Sequence, residues 1–198
     1  MHRVRDLKDG RKVVLAERVH EFLAWASQLF DISVCSLGDQ PYVDMVAQIL
    51  NSETPIIKGG VAYSARGEYL YISQHSKNPR KPPKDLRSLF AFYGNENTDK
   101  TVIPLDPLIL DDNAHMWPED QQDNIIVIRE MTSSHVWNVA LFPVVRQALS
   151  YIHEGFFRAV DAWQVADHRT RGPPPSSLTF YKEYMRKELS NRIAEHQE

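Results

Sequence analysis

Two carboxylates stand side by side at Asp111 and Asp112, directly after the apolar run Leu108–Leu110 of LILDDNAHMW. Such a run reads as a buried strand. Like charges at its end repel each other, and each loses hydration there. Mg²⁺ would neutralise them, because carboxylates offer it hard oxygens. In the plainer reading the pair caps the segment that follows.

Two further residues could join them in one kind of chemistry. Ser36 ends the β-branched stretch ISVCS and is followed by LGD, which turns into a helix. A hydroxyl and backbone N–H groups facing a helix start can hold a phosphate; otherwise Ser36 closes a turn. Lys84 opens a short helical segment after a basic, proline-rich loop, and its plain reading is a solvated charge. Other chemistries fail on spacing. The chain has neither a G-x-x-x-x-G-K-[ST] loop nor a G-x-S-x-G elbow. The His-Glu pairs at His20 and His153 lack a second histidine at the zincin spacing. A cysteine phosphatase needs an arginine where Cys35 is followed by Pro41, so Cys35 reads as a buried strand residue.

The elements that must position these groups follow from periodicity. Val19, Phe22, Leu23, Ala26 and Phe30 form one face of a helix ending near Asp31. ISVCS, residues 32–36, is a strand, and Asp39 with Pro41 starts a second helix carrying Tyr42, Met45, Val46, Ile49 and Leu50. Helix, strand and helix in this order predict a parallel α/β unit. GGVAYSARGEYLYIS suggests a hairpin around Arg66–Gly67. PLIL, before Asp111, and NIIVI, residues 124–128, read as buried strands, with PLIL beside ISVCS in one sheet. That would set Ser36 and Asp111 at one sheet edge, since ligands gather at strand C-termini. Val144, Val145, Ala148, Leu149, Ile152, Phe156 and Val160 mark a long helix in which Pro143 is an early residue. HRTRGPPPSS is a stiff linker. Beyond it Leu178, Tyr181, Met185, Leu189 and Ile193 recur at helical spacing to pack on the domain or serve a partner.

Composition bounds the rest. With 198 residues, 42% hydrophobic and 25% charged, the chain suits one globular domain rather than a disordered segment. A net charge of −3 argues against direct nucleic-acid binding by the whole surface. One cysteine precludes an internal disulfide and suggests a reducing, intracellular compartment. No run approaches a membrane span or a signal-peptide core.

Taken in order, HEFLAWASQLFDISVCSLGDQPYVDMVAQIL, KDLRSLF, LILDDNAHMW and QALSYIHEGFF resemble the FCP homology domain over residues 13–160. QALSYIHEGFF is similar to the TFIIF-associating branch, phosphatases of the RNA polymerase II C-terminal tail within the haloacid dehalogenase superfamily. The resemblance implies a doubly wound parallel α/β fold and a Mg²⁺-dependent protein serine/threonine phosphatase. It implies that Ser36 and Lys84 grip phosphate and that Asp111 and Asp112 hold Mg²⁺. A phosphoprotein, or the polymerase tail, would be the partner, in the nucleus and away from membranes.

The family's reaction begins on an Asp-x-Asp-x-[Thr/Val] strand, and these 198 residues contain no Asp-x-Asp. Asn113 stands where an arginine is common. The expectation is therefore a haloacid-dehalogenase-like sheet truncated at its N-terminal nucleophile strand, with a small β-hairpin insertion. Residues 1–167 would form the partial domain, 168–177 a proline-rich linker and 178–198 an amphipathic helix. With no nucleophile, no catalytic residue is assigned and Mg²⁺ binding is expected to be weak or vestigial. The alternative is a pseudophosphatase module that recognises a phosphoserine segment or a partner protein. A receiver-like signalling domain fits less well, because its acid pair lies early in the chain.

Overall fold

The computed structural model describes residues 4–52, 54–58, 60–77, 84–90, 106–128, 141–167 and 169–195. The basic stretch 78–83 and most of FYGNENTDKTVIPLD lie outside them. β1 (Val4–Asp6) and β2 (Lys12–Val14) form an antiparallel hairpin. Its turn needs Gly10, whose φ of 87° is left-handed. Arg11 ties the hairpin onward, reaching both Asp9 and Asp39.

A parallel unit follows. α1 (Val19–Ala26) buries Phe22 and Ala26 and ends at Ser27, a turn earlier than the periodicity suggests. β3 (Val34–Ser36) leads into α2 (Gln40–Leu50), and β4 (Ala62–Ser64) returns parallel to β3, with Ser36 opposite Ser64. Asp39 caps α2 by accepting the Tyr42 N–H at 2.8 Å, and Pro41 sits in the first turn. The deepest residues of α2 are Val43 and Ala47; the expected stripe at Tyr42, Met45, Val46, Ile49 and Leu50 is half-buried to either side. Gly60 lets the lead into β4 close on β3, since a Cβ there would lie 1.8 Å from the Ile32 carbonyl oxygen.

The hairpin expected at Arg66–Gly67 does not form. β4 runs instead into α3 (Arg66–His75), with Glu68 in the first helical turn accepting the Tyr63 hydroxyl at 2.6 Å. The aromatic residues of what would be the second arm are on a helix and face solvent: Tyr69 and Tyr71 are exposed. Pairing β4 with β3 leaves no second strand for it to fold back on.

α4 (Leu86–Leu89) precedes β5 (Ile109–Asp111) and the parallel β6 (Ile125–Val127), joined by 3₁₀ turns at Ala114–Met116 and Glu119–Asn124. The two faces of this pair are packed differently. Ile126 joins Phe22, Val145, Leu149 and Ile152, whereas Ile109 and Ile125 pack with Leu86 and Trp117. α5 (Leu141–Val165) supplies the first cluster and accepts Pro143 as its third residue, where no helical N–H bond is lost. Val144, expected on its buried face, is exposed.

α6 (Ser177–Glu195) docks on α5. Tyr184 is buried, Phe180 sits against Gly155, and the Tyr181 hydroxyl donates to the Ile125 carbonyl at 2.8 Å. Met185 and Leu189, expected on the packed face, are exposed, because the aromatic residues set the phase; the Ile193 side chain lies outside the described residues.

The fold is thus mixed α/β, with two parallel strand pairs among the described residues. The expected pairing of PLIL with ISVCS also fails. β3 and β5 are not paired among the described residues; each pairs with the strand that its own local crossover returns. They remain close, for Cys35 of β3 packs against the Leu86–Ile109–Trp117 cluster.

Candidate functional site

β5 delivers Asp111 to the C-terminal end of a parallel pair, where its carboxylate is buried and hydrogen-bonded through both oxygens. Oδ1 accepts the backbone N–H of Asn113 at 3.0 Å. Oδ2 accepts the Lys84 ammonium at 2.6 Å and the Trp117 indole N–H at 2.8 Å. Burial pushes the Asp111 carboxyl up. The bonds from Lys84, Asn113 and Trp117 outweigh it and hold the group below the ordinary carboxylate range. Lys84 therefore neutralises the charge at the strand end. Its Nζ also lies 5.6 Å from the Trp117 ring centroid, a cation–π distance.

Lys84 is not the solvated charge of the plain reading, since its side chain is 13% exposed against 7% for Asp111. Its main chain is fixed as well. The Lys84 N–H donates to the Met116 carbonyl at 3.0 Å. Asp85 caps α4 through the Arg87 N–H, and Arg87 pairs with Asp120.

Asp112 points outward and is exposed. Asn113, in the arginine's place, caps the first 3₁₀ turn by accepting the His115 N–H at 3.0 Å. Mg²⁺ fits this arrangement poorly. Among the described residues no group of three carboxylate, imidazole or thiol side chains could hold a metal, and a cation at Asp111 would compete with the Lys84 ammonium already paired there.

Ser36 ends β3 at the corresponding strand terminus. Its Oγ accepts the Gly38 N–H at 3.1 Å, and Ser64 donates to the Gly38 carbonyl at 2.6 Å, so two serines stitch the loop before α2. The turn-closing reading of Ser36 holds, and its own hydroxyl proton remains available to a ligand. Asp39 puts a carboxylate on the α2 N-terminus, and Arg11 answers it at 3.1 Å. Cys35 is inert chemistry beside the site: burial pushes its thiol up to about 11, although nearby Lys84 pulls the other way.

Sequence reasoning named Lys84 and Asp111 but passed over Trp117 and Gln121. The tryptophan's distance from the acid pair in LILDDNAHMW was the available signal. Nothing in the sequence flagged Gln121, whose side chain is fully buried.

A family model described as NLI interacting factor-like phosphatase matches residues 4–149. No curated protein matches the chain. A solved structure of the fission yeast RNA polymerase II CTD phosphatase Fcp1, a variant bound to beryllium fluoride, is similar at 17% identity. The overlay covers 98% of this chain and 56% of that one, with a TM-score of 0.39. The chain thus spans little more than half the length of that solved relative.

Proposed function

The chain belongs to the NLI interacting factor-like phosphatase family, and on that premise we propose that these 198 residues bind a phosphoserine segment without hydrolysing it. The observation that carries this reading is the engagement of Asp111. A nucleophilic carboxylate must turn a lone pair towards phosphorus, and Asp111 is held in place by both oxygens, Oδ2 by Lys84 and Trp117 and Oδ1 by the Asn113 N–H. The sequence contains no Asp-x-Asp, the motif on which the family's reaction begins.

Lys84 is suited to binding. An ammonium carries three N–H donors, and one is directed at Asp111. The carboxylate orients it, and among the described residues no hydrogen bond takes the other two, which suits them to phosphate oxygens. Ser36 and the loop before α2 are the second contact. Mg²⁺ binding at Asp111 and Asp112 is at most weak in this reading, because the ion competes with Lys84. No helix among the described residues is long and apolar enough to cross a membrane. The likeness of KDLRSLF and LILDDNAHMW to the FCP homology domain makes a phosphorylated RNA polymerase II tail, in the nucleus, the first ligand to try.

The test is fluorescence anisotropy with a labelled phosphoserine peptide and its unphosphorylated twin. The phosphorylated peptide is expected to bind at least about tenfold tighter, a difference near 1.4 kcal/mol. Lys84→Met should abolish the preference. Equal affinity for both peptides would overturn the reading.

A further inference from the structure

Gln121 is fully buried, and among the described residues its side-chain hydrogen bonds go to neither Asp111 nor the Lys84 ammonium. Its amide instead grips the start of α4. Oε1 accepts the Leu86 N–H at 2.9 Å, and Nε2 donates to Asp85 Oδ1 at 2.7 Å. Both groups follow directly after Lys84 in the chain. On the other side, the Lys84 N–H is bonded to the Met116 carbonyl. The lysine's backbone is therefore clamped before and after by one loop, residues 116–121, which descends from the strand that carries Asp111.

α4 has four residues, too few to hold a helical geometry unaided. Its first N–H groups need external acceptors; Asp85 serves Arg87 and Gln121 serves Leu86. Only a side chain with both an acceptor and a donor can meet the Leu86 N–H and the Asp85 carboxylate together. A methionine would leave the buried Leu86 N–H unpaired and take one donor from Asp85. A glutamate would set a second carboxylate against Asp85.

We propose that Gln121 is the positioning residue of Lys84, fixing the register of α4 so that the ammonium meets Asp111 and presents its remaining donors to phosphate. The last step rests on the phosphate-binding reading above; the placement of Lys84 does not. Gln121 acts through the backbone of residues 85 and 86 and touches no ligand.

The test separates these levels by reading Lys84 directly. Reductive methylation at each lysine is followed by mass spectrometry, below the melting temperature of every variant. In wild type Lys84 is expected to react slowly. Gln121→Met is expected to raise its rate at least about fivefold through local opening, and to weaken phosphoserine-peptide binding about tenfold through misplacement of the donor.

Asn124→Leu is the control. Asn124 is another buried polar group of the same crossover, donating to the Pro107 carbonyl at 2.8 Å, so its loss should lower stability without raising Lys84 reactivity. The exchange variant Gln121→Glu with Asp85→Asn restores an amide–carboxylate pair with reversed ends, and should return Lys84 to its slow rate where Gln121→Glu alone does not. If Gln121→Met leaves Lys84 as slow as in wild type, or the Asn124 control accelerates it equally, Gln121 has no positioning role. If the reactivity pattern holds while wild type shows no preference for phosphoserine, the phosphate reading fails and the positioning of Lys84 stands.

Discussion

At the residue scale the structure turns on one ion pair. Removing the charge of Asp111 strands the Lys84 ammonium in a mostly buried place, so Asp111→Asn should cost roughly 3 kcal/mol, measured by urea denaturation. The pH dependence has a definite sign. The folded Asp111 carboxyl lies below its ordinary value. Its stabilising effect is therefore fully present above the unfolded pKa, about 3.9, and is lost as pH falls through the folded one. The gap between wild type and variant should be constant from pH 7 to 5 and shrink below pH 4. A gap that widens on acidification would contradict the pair. Cys35 gives a second check at this scale. With its thiol pushed up to about 11, alkylation at pH 8 should be at least ~100-fold slower than in denatured protein, because the thiolate is the reacting form. The acid pair and Lys84 were legible in the sequence because charge beside an apolar run is conspicuous. What neutralises the pair was not, since Lys84 and Asp111 are 27 residues apart and meet only through the packing of Leu86 against Ile109.

At the element scale the paired predictions concern two glycines. Gly67 lies in the first turn of α3 with open space around it, so Gly67→Ala should stabilise by about 0.5 kcal/mol from helix propensity. In a hairpin around Arg66–Gly67, the same change would remove the turn residue and destabilise. Thermal melting distinguishes the two. Gly60→Ala, by contrast, drives a Cβ into the Ile32 carbonyl and should cost several kcal/mol by forcing the β3–β4 approach apart. The helices α1, α2 and α5 were readable from spacing and capping because each buries one face. α3 was not, because it buries no residue completely and its Tyr-Leu-Tyr run imitates strand alternation. For α6 the existence of the helix was legible and its phase was not, as Tyr184 and Phe180 rather than Met185 and Leu189 meet α5.

At the scale of the whole molecule the family and the α/β class were visible in four segments read in order. The pairing of strands was not, because ISVCS and PLIL look alike as apolar runs and only their crossovers decide their partners. The metal question belongs here too, since an ion that binds only the folded state stabilises all of it. At a concentration equal to its Kd, Mg²⁺ would add only about 0.4 kcal/mol. That corresponds to a shift of roughly 1 °C in a chain this size. The expected result in millimolar Mg²⁺ is a shift no larger than this. A rise of several degrees that Asp112→Asn abolishes would show that the ion displaces Lys84 readily.

The most direct test of binding without hydrolysis is a ³¹P NMR titration of a phosphoserine peptide with the protein in the presence of Mg²⁺. The phosphoserine resonance is expected to shift saturably with wild type and to stay put with Lys84→Met, while no inorganic phosphate signal grows over hours. A growing inorganic phosphate signal that Asp111→Asn removes, or a phosphoserine resonance that wild-type protein leaves unmoved, would contradict the account.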